Sequence, residues 1–427
     1  MGGNVDCRQC TRWPGPARHV RQPCQADFAT IDRSGRARQG RDAGRSFVKS
    51  GEELQADCPT APPRRTRAHR DSLGRRVGRR QPVSGRVTSA VRSQGHPGMP
   101  GEPVRVVVFD PIPPEEWSYD VEAGILAARR VELVLPSGPV ATRQEIRDAD
   151  VVIVTGIRPL DGPTIRTLRR CIGILCYSIG MDKVDGAAAA VAGIPVRNVP
   201  DYCTEEVSDH ALALLLAAER RLTAFAELAA SGQWDVVGRP ENESIRRLRG
   251  QTLGILGAGR IGSKVARKAR AFGFRTIAFD PYISSTEDPE IELVPLPDLL
   301  GQADALVLCA SLNDGSRGLL GWNEFAQLRP GVILVNVARG ALIDEAALAE
   351  ALGSGRVGLA ALDVRSPEPP AKGADPLAGL PNVIQTPHIA ALSREAREDL
   401  RRMAGEIVLQ MLESSGRIPS TAVDQTA

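Results

Sequence analysis

Beyond residue 100 the chain carries two histidines, His210 and His388. Histidine is the side chain best suited to exchange a proton with a carbonyl or hydroxyl oxygen near neutral pH. His388 follows Thr386-Pro387 directly after a predicted strand at 383–385, and strand ends are where parallel sheets present chemistry. His210 lies inside a predicted helix beside Asp209 and reads as a packed or partly exposed helix residue. Two further charged residues follow strand ends in the same series. Arg339 follows the strand at 332–336 in LVNVARG, and Glu368 lies in SPEPP after the strand at 358–363. Arginine binds carboxylates in a bidentate way. A carboxylate beside a histidine orients the ring and stabilises its charged form. Alone, His388 reads equally well as a packed residue. With an Arg and a Glu at two preceding strand ends, the three can converge to bind a carboxylate and move a proton at the adjacent carbonyl.

Gly257, Gly259 and Gly262 form GxGxxG between a predicted strand at 253–256 and a predicted helix at 261–271. The first glycine permits the tight turn, the second lets backbone approach a pyrophosphate, and the third lets helix and strand pack closely. The helix N-terminus then faces the phosphate charge. Asp280 ends the next strand, 18 residues past Gly262. An acid there accepts hydrogen bonds from the adenosine ribose and repels a 2′-phosphate, which favours NAD over NADP. The bland alternative is a glycine turn followed by an ordinary strand-end Asp, and the strand–turn–helix context weighs against it.

The elements that must position these residues are short apolar strands alternating with helices. The first series has strands at 104–109, 131–135, 149–155, 171–176 and 193–198, with helices at 124–130 and 163–170. A long helix at 204–221 follows, with Thr204 as its expected N-cap and more apolar residues than one stripe needs. The second series has strands at 253–256, 275–279, 305–309, 332–336, 358–363 and 383–385, and an amphipathic helix at 394–412 closes it. This alternation predicts an α/β fold with parallel, helix-covered sheets.

The 427 residues are 42% apolar and 25% charged, enough for two or three domains with a substantial core. The apolar run that includes 212–218 is far short of the roughly 18–20 residues of a membrane span. No secretory segment follows Met1. The expectation is a soluble, cytoplasmic protein with no membrane contact. The net charge of +3 hides a split: residues 1–100 carry +12 and the remainder −9. The first hundred residues are rich in Arg, Gly, Pro, Gln and Ser without apolar period, and predict a disordered tail. The basic stretch at 64–80 lacks the aromatics of a nucleic-acid arm, so nucleic acid is not the expected partner. Five Lys against 49 Arg points to a GC-rich coding sequence, and a translation start near Met99 is the favoured reading of the tail. Cys7, Cys10, His19 and Cys24 match no common zinc spacing, and no metal is expected. Cys171, Cys176, Cys203 and Cys309 lie in apolar contexts and read as reduced core residues.

From residue 104 to about 415 the chain resembles the D-isomer-specific 2-hydroxyacid dehydrogenase family. The resemblance rests on GQTLGILGAGRIG, FDPY, LVNVARGALIDEAALAEAL, ALDVRSPEPP and PNVIQTPHIAA, in family order and spacing. It implies that His388 is the acid–base, that Glu368 orients it, and that Arg339 binds the substrate carboxylate and polarises the carbonyl. Cofactor contacts would come from Arg260, Ile261, Asp280, Ala310, Ser311, Asn313, Ser316, Val337, Ala338 and Asp363, in addition to the three glycines. For Asp363 a turn-forming role is the alternative. Asn336 is expected to fix the loop carrying Arg339. Ser178, Ile179 and Gly180 would join Arg339 at the substrate. The resemblance also implies two Rossmann-like or flavodoxin-like domains. A substrate domain at 103–202, completed by 390–415, would hold an inserted NAD domain at 203–389, leaving 416–427 as a disordered end. A homodimer through the NAD domains is the family habit.

Departures are informative. Ile179 falls where a hydroxyl residue is usual, and Glu368 stands where formate dehydrogenases carry Gln. The expected function is NAD-dependent interconversion of a D-2-hydroxy acid and its 2-keto acid. The alternative is an NAD(H)-sensing corepressor like the C-terminal-binding proteins. Those carry Arg and Trp where this chain has Cys176 and Ala391.

Overall fold

The computed structural model describes residues 103–420 apart from Pro240, Glu241, Glu243 and Glu287. The basic tail, the N-terminal cysteines, the Met99 start and the end beyond 420 lie outside the described residues.

The first sheet is built from β1 (Val104–Val108), β2 (Val131–Val134), β3 (Val151–Val154), β4 (Gly173–Cys176) and β5 (Val196–Asn198). Their order is β2-β1-β3-β4-β5 and every pairing is parallel. Helices α1 (Asp120–Ala127), α2 (Arg143–Ile146), α3 (Gly162–Ile165) and α4 (Gly186–Val191) connect them. β3 is VVIV and wholly buried, as a strand covered by helices on both faces must be. The chain then forms α5 (Thr204–Glu219) and α6 (Leu222–Ala230).

The second sheet follows. Its elements are β6 (Thr252–Leu256), α7 (Arg260–Ala271), β7 (Arg275–Phe279), β8 (Glu292–Leu293), α8 (Leu296–Gln302), β9 (Ala305–Leu308), α9 (Trp322–Gln327), β10 (Val332–Asn336), α10 (Glu345–Gly353), β11 (Val357–Leu362) and β12 (Val383–Gln385). The order β12-β11-β10-β9-β6-β7-β8 is again all parallel. It reverses direction between β6 and β9, and a crevice opens at the carboxyl ends of strands at such a switch point. The last helix, α11 (Arg394–Ser414), returns to the first sheet. Its Ala404, Val408 and Met411 share a core with Val106, Val151 and Leu175. Gly405 lets α11 close to within 3.1 Å of Ile125 on α1, measured to where a Cβ would stand. By contrast Val207, Ala211, Leu215 and Ala218 of α5 share a core with Ile255, Val307 and Val335 of the second sheet.

Every expected strand is present, the two-residue edge strand β8 was not expected, and several helices differ. α3 stops at Ile165, because the Arg169 amide donates to the Arg147 carbonyl rather than continuing the helix. α1 begins earlier than expected, with Asp120 and Glu122 in its first turn, and Arg130 beyond its end takes a left-handed φ of 58°. Thr204 does not cap α5. Cys203 occupies that position without a side-chain bond, and the Thr204 hydroxyl contacts Asp201 at 3.4 Å instead. The expected long helix ends at Glu219 because Arg221 turns left-handed, which starts α6 in a new direction. Among the described residues no helix is long and apolar enough to cross a membrane.

Candidate active site

The glycine turn sits between β6 and α7. Gly257 has a φ of +95°, and a Cβ there would lie 2.7 Å from the Ala310 backbone. A Cβ at Gly262 would stand 2.0 Å from the Gly257 carbonyl oxygen, so only glycine lets α7 abut the turn. A Cβ at Gly259 would meet nothing within 4 Å. That open space faces the N-terminus of a twelve-residue helix, α7, as a pyrophosphate requires. Asp280 accepts from the Ala258 and Tyr282 amides, each at 3.0 Å, which holds its carboxylate beside the turn. The donor set and the open cradle fit a dinucleotide. The 311–316 loop is tied internally: Asn313 Oδ1 accepts from the Gly315 amide at 2.9 Å and the Ser316 amide at 3.1 Å, and the Ser316 hydroxyl donates to the Ser311 carbonyl at 2.7 Å.

A cavity of about 530 Å³ brings many of the expected residues together. Ile261, Ala310, Ser311, Asn313, Val337 and Ala338 line it from the second sheet. Ser178, Ile179 and Gly180 line it from the first, and Arg339 and His388 also line it. Asp280, Ser316 and Asp363 do not line it. Arg260 turns toward Asp201, with Nε 3.0 Å from its carboxylate.

His388 Nδ1 lies 2.8 Å from Glu368 Oε2, and both side chains are partly exposed, at 48% and 38%. This bond commits one ring nitrogen and leaves Nε2 for a substrate. Burial of Glu368 opposes its charge, but the His388 ring, the Arg365 amide and the nearby Arg339 outweigh that and hold the carboxyl below its ordinary range. The Arg365 amide donates to Glu368 Oε1 at 2.8 Å.

Arg339 is fixed from two sides. Its Nε donates to Asp182 at 2.9 Å and its Nη1 to the Ala338 carbonyl at 2.8 Å. Asn336 braces the loop: its Nδ2 donates to the Arg339 carbonyl at 2.9 Å, and its Oδ1 accepts from the Ala338 amide at 3.0 Å. A Cβ at Gly180 would fall 1.7 Å from Arg339 Nη2, so the guanidinium lies directly on the glycine of the 178–180 loop. In that loop the Ser178 hydroxyl donates to the Gly180 carbonyl at 2.8 Å, and Asn198 Nδ2 donates to the Ile179 carbonyl at 2.7 Å. Ile179 packs its apolar side chain against the core of the second sheet.

Asp363 is 1% exposed, and its carboxylate is spent on the turn that carries His388. It accepts from the Ile389 and Ala390 amides at 2.9 Å and from the Thr386 hydroxyl at 2.6 Å. Reading the sequence missed two members of this framework. His210 on α5 reaches Thr386 Oγ1 at 3.1 Å and Asp363 Oδ1 at 3.4 Å, across 176 residues of chain in the first case. No local pattern reports such a contact. Asp182, the partner of Arg339, lies two residues past the 178–180 loop, which is the one signal that could have found it. The four described cysteines are free, and burial pushes their thiols up to about 12. Among the described residues no three His, Cys, Asp or Glu side chains group to hold a metal.

Comparison with known proteins agrees with this geometry. Residues 212–390 match the D-isomer specific 2-hydroxyacid dehydrogenase NAD binding domain. A glyoxylate reductase of Korarchaeum cryptofilum is 34% identical over 66% of this chain and 85% of its own length. A D-3-phosphoglycerate dehydrogenase of Archaeoglobus fulgidus is 34% identical over 72% of this chain, which spans only 57% of that relative. Among solved structures, a glyoxylate reductase from Paecilomyes thermophila superposes with a TM-score of 0.64 at 28% identity, covering 75% of this chain and 99% of its own. These relatives bear the names of reductases and dehydrogenases, as the main reading expects, and not of corepressors. The chain belongs to the D-isomer-specific 2-hydroxyacid dehydrogenase family and carries that family's NAD-binding domain.

Proposed function

We propose that this protein interconverts a 2-keto acid and its D-2-hydroxy acid, using NAD, at the cleft edge formed by Arg339, Glu368 and His388. The observation that carries the reading is one cavity lined by both Arg339 and His388, with His388 tied to Glu368 at 2.8 Å through Nδ1 only. The Arg339 guanidinium, held by Asp182, binds the substrate carboxylate together with the backbone amides of the 178–180 loop. The keto oxygen then faces His388 Nε2, which donates the proton as negative charge develops. Glu368 remains ionised and holds the ring in the orientation for that donation. Bound NADH supplies the hydride. In the reverse direction Nε2 accepts the hydroxyl proton. Arg260, Ile261, Asp280 and the 310–316 loop hold the cofactor in this reading. Asp363 contributes by fixing the 386–390 turn.

A relative named a glyoxylate reductase and another named a D-3-phosphoglycerate dehydrogenase support starting a substrate panel with glyoxylate and the keto acid formed by oxidising D-3-phosphoglycerate, 3-phosphohydroxypyruvate. The test is NADH oxidation by the full chain against that panel, with His388→Ala in parallel. Removing the proton donor should slow turnover by about a hundredfold to ten-thousandfold while NADH still binds. Unchanged turnover in the variant would sink the assignment. We further propose a cytoplasmic homodimer. The free thiols of the four described cysteines suit a reducing compartment, and α6 buries none of its apolar residues within the described chain.

A further inference from the structure

A second cavity, about 800 Å³, opens from Arg339, Glu368 and His388 toward the first sheet and the start of α11. Its charges are unevenly committed. Its two acids are both engaged, Asp182 by Arg339 and Glu368 by His388. Arg365 is buried and paired with Glu345 at 2.9 Å and Asp375 at 2.6 Å. Three cations remain in the walls: Lys183, Arg317 and Arg397. None of these side chains makes a hydrogen bond or ion pair to another described residue. Arg397 is nonetheless held in place, with its guanidinium 5.1 Å from the ring centroid of Trp117, and Arg401 lies over the same ring at 4.5 Å. Ser393, which caps α11, also lines the cavity, so the positive end of a 21-residue helix adds to the field.

On the reading proposed above, Arg339 already answers the carboxylate of any 2-keto acid. A two-carbon acid would leave the larger cavity to water and its three cations without counter-charge. Unpaired cations in a cleft with apolar walls concentrate anions there. Ile112, Tyr177 and Leu400 supply that apolar wall. We infer that the substrate is a 2-keto acid bearing a second anionic group at its far end, and that Lys183 and Arg397, with Arg317, read that group. The spacer between the two anions packs on the apolar wall.

The full chain is assayed for NADH oxidation with 2-oxoglutarate and with 5-methyl-2-oxohexanoate, which replaces the far carboxylate by an isopropyl group of the same shape. 3-Phosphohydroxypyruvate and hydroxypyruvate form a second pair and separate a phosphate from a carboxylate. In at least one pair the doubly charged acid should have the higher kcat/KM, by about thirtyfold. Arg397→Met and Lys183→Met should each lower that ratio by about tenfold, and Arg397→Lys should restore most of it. If Arg397→Met does not fold, Lys183→Met and Arg397→Lys carry the test. Equal or better use of the singly charged acids overturns the inference, as does a ratio that neither variant moves. Turnover of glyoxylate or pyruvate without any preference for a second charge overturns it alone. Failure of every 2-keto acid to oxidise NADH overturns the proposed function with it.

Discussion

His388 holds a left-handed backbone, with a φ of 55°, which costs a residue with a Cβ about 1–2 kcal/mol. The surrounding bonds over-determine it. The His388 amide donates to the Asp363 carbonyl at 2.8 Å, while the next two amides fall on the Asp363 carboxylate. Strain held by a buried anion is what an aimed side chain requires, and it presents the ring to Glu368. The charge on Glu368 sets a pH dependence whose sign follows from its lowered pKa. The folded chain favours the carboxylate more than the unfolded chain does. That contribution is present above the ordinary carboxylate range and is lost as pH falls through the depressed folded value. Glu368→Gln keeps a hydrogen-bonding side chain but removes that charge, so its thermal unfolding midpoint should fall less steeply than that of the parent chain as pH is lowered from about 7 to about 3. Unfolding scans of both chains across that range decide the matter, and equal slopes would mean that the Glu368 charge contributes nothing to the folded state.

At the scale of elements, the strand ends were legible and the contacts behind them were not. Arg339, Glu368 and His388 could be read as a set because strands of five, six and three residues end shortly before them, and the apolar runs of the first two report buried strands directly. The ends of α3 and α5 were not legible, because they depend on an amide bonding to a distant carbonyl and on one left-handed arginine. The β6–α7 turn shows how far a glycine pattern can be taken. It gives three glycines, and the structure separates their work. A Cβ at Gly262 strikes the Gly257 carbonyl at 2.0 Å, whereas one at Gly259 meets no protein atom within 4 Å. Gly262→Ala should force α7 off β6, costing about 1–3 kcal/mol of stability and weakening NADH binding. Gly259→Ala should leave the thermal unfolding midpoint almost unchanged yet weaken NADH binding by about tenfold or more, because its methyl group occupies cofactor space alone. Calorimetry of the two variants with and without NADH distinguishes them. Equal losses of stability would show that the open space over α7 is not the phosphate seat.

Over the whole molecule, two sheets meet across one cleft, and side chains from both are paired there, Arg339 with Asp182 and Arg260 with Asp201. The alternation of strands and helices announced both sheets. It could not announce which surfaces of the finished fold stay uncovered, because that depends on what packs on them. α6 is the clearest case. It packs on α5, yet Leu222 is 55% exposed, and Trp234 and Val237 just beyond it are 79% and 87% exposed. Large apolar side chains gathered in one exposed segment mark a surface that another chain covers. The proposed homodimer supplies that cover, since a second copy brings the same apolar segment in symmetric form. Burying each such side chain contributes about 1.5–3 kcal/mol. Replacing Trp234 and Val237 together by Asp should therefore weaken self-association by about a hundredfold or more. Sedimentation of the full chain should show a dimer at micromolar concentration and a monomer for the double variant with unchanged circular dichroism. A wild-type chain that sediments as a monomer throughout that range would refute the dimer and leave the 222–237 surface to a different partner.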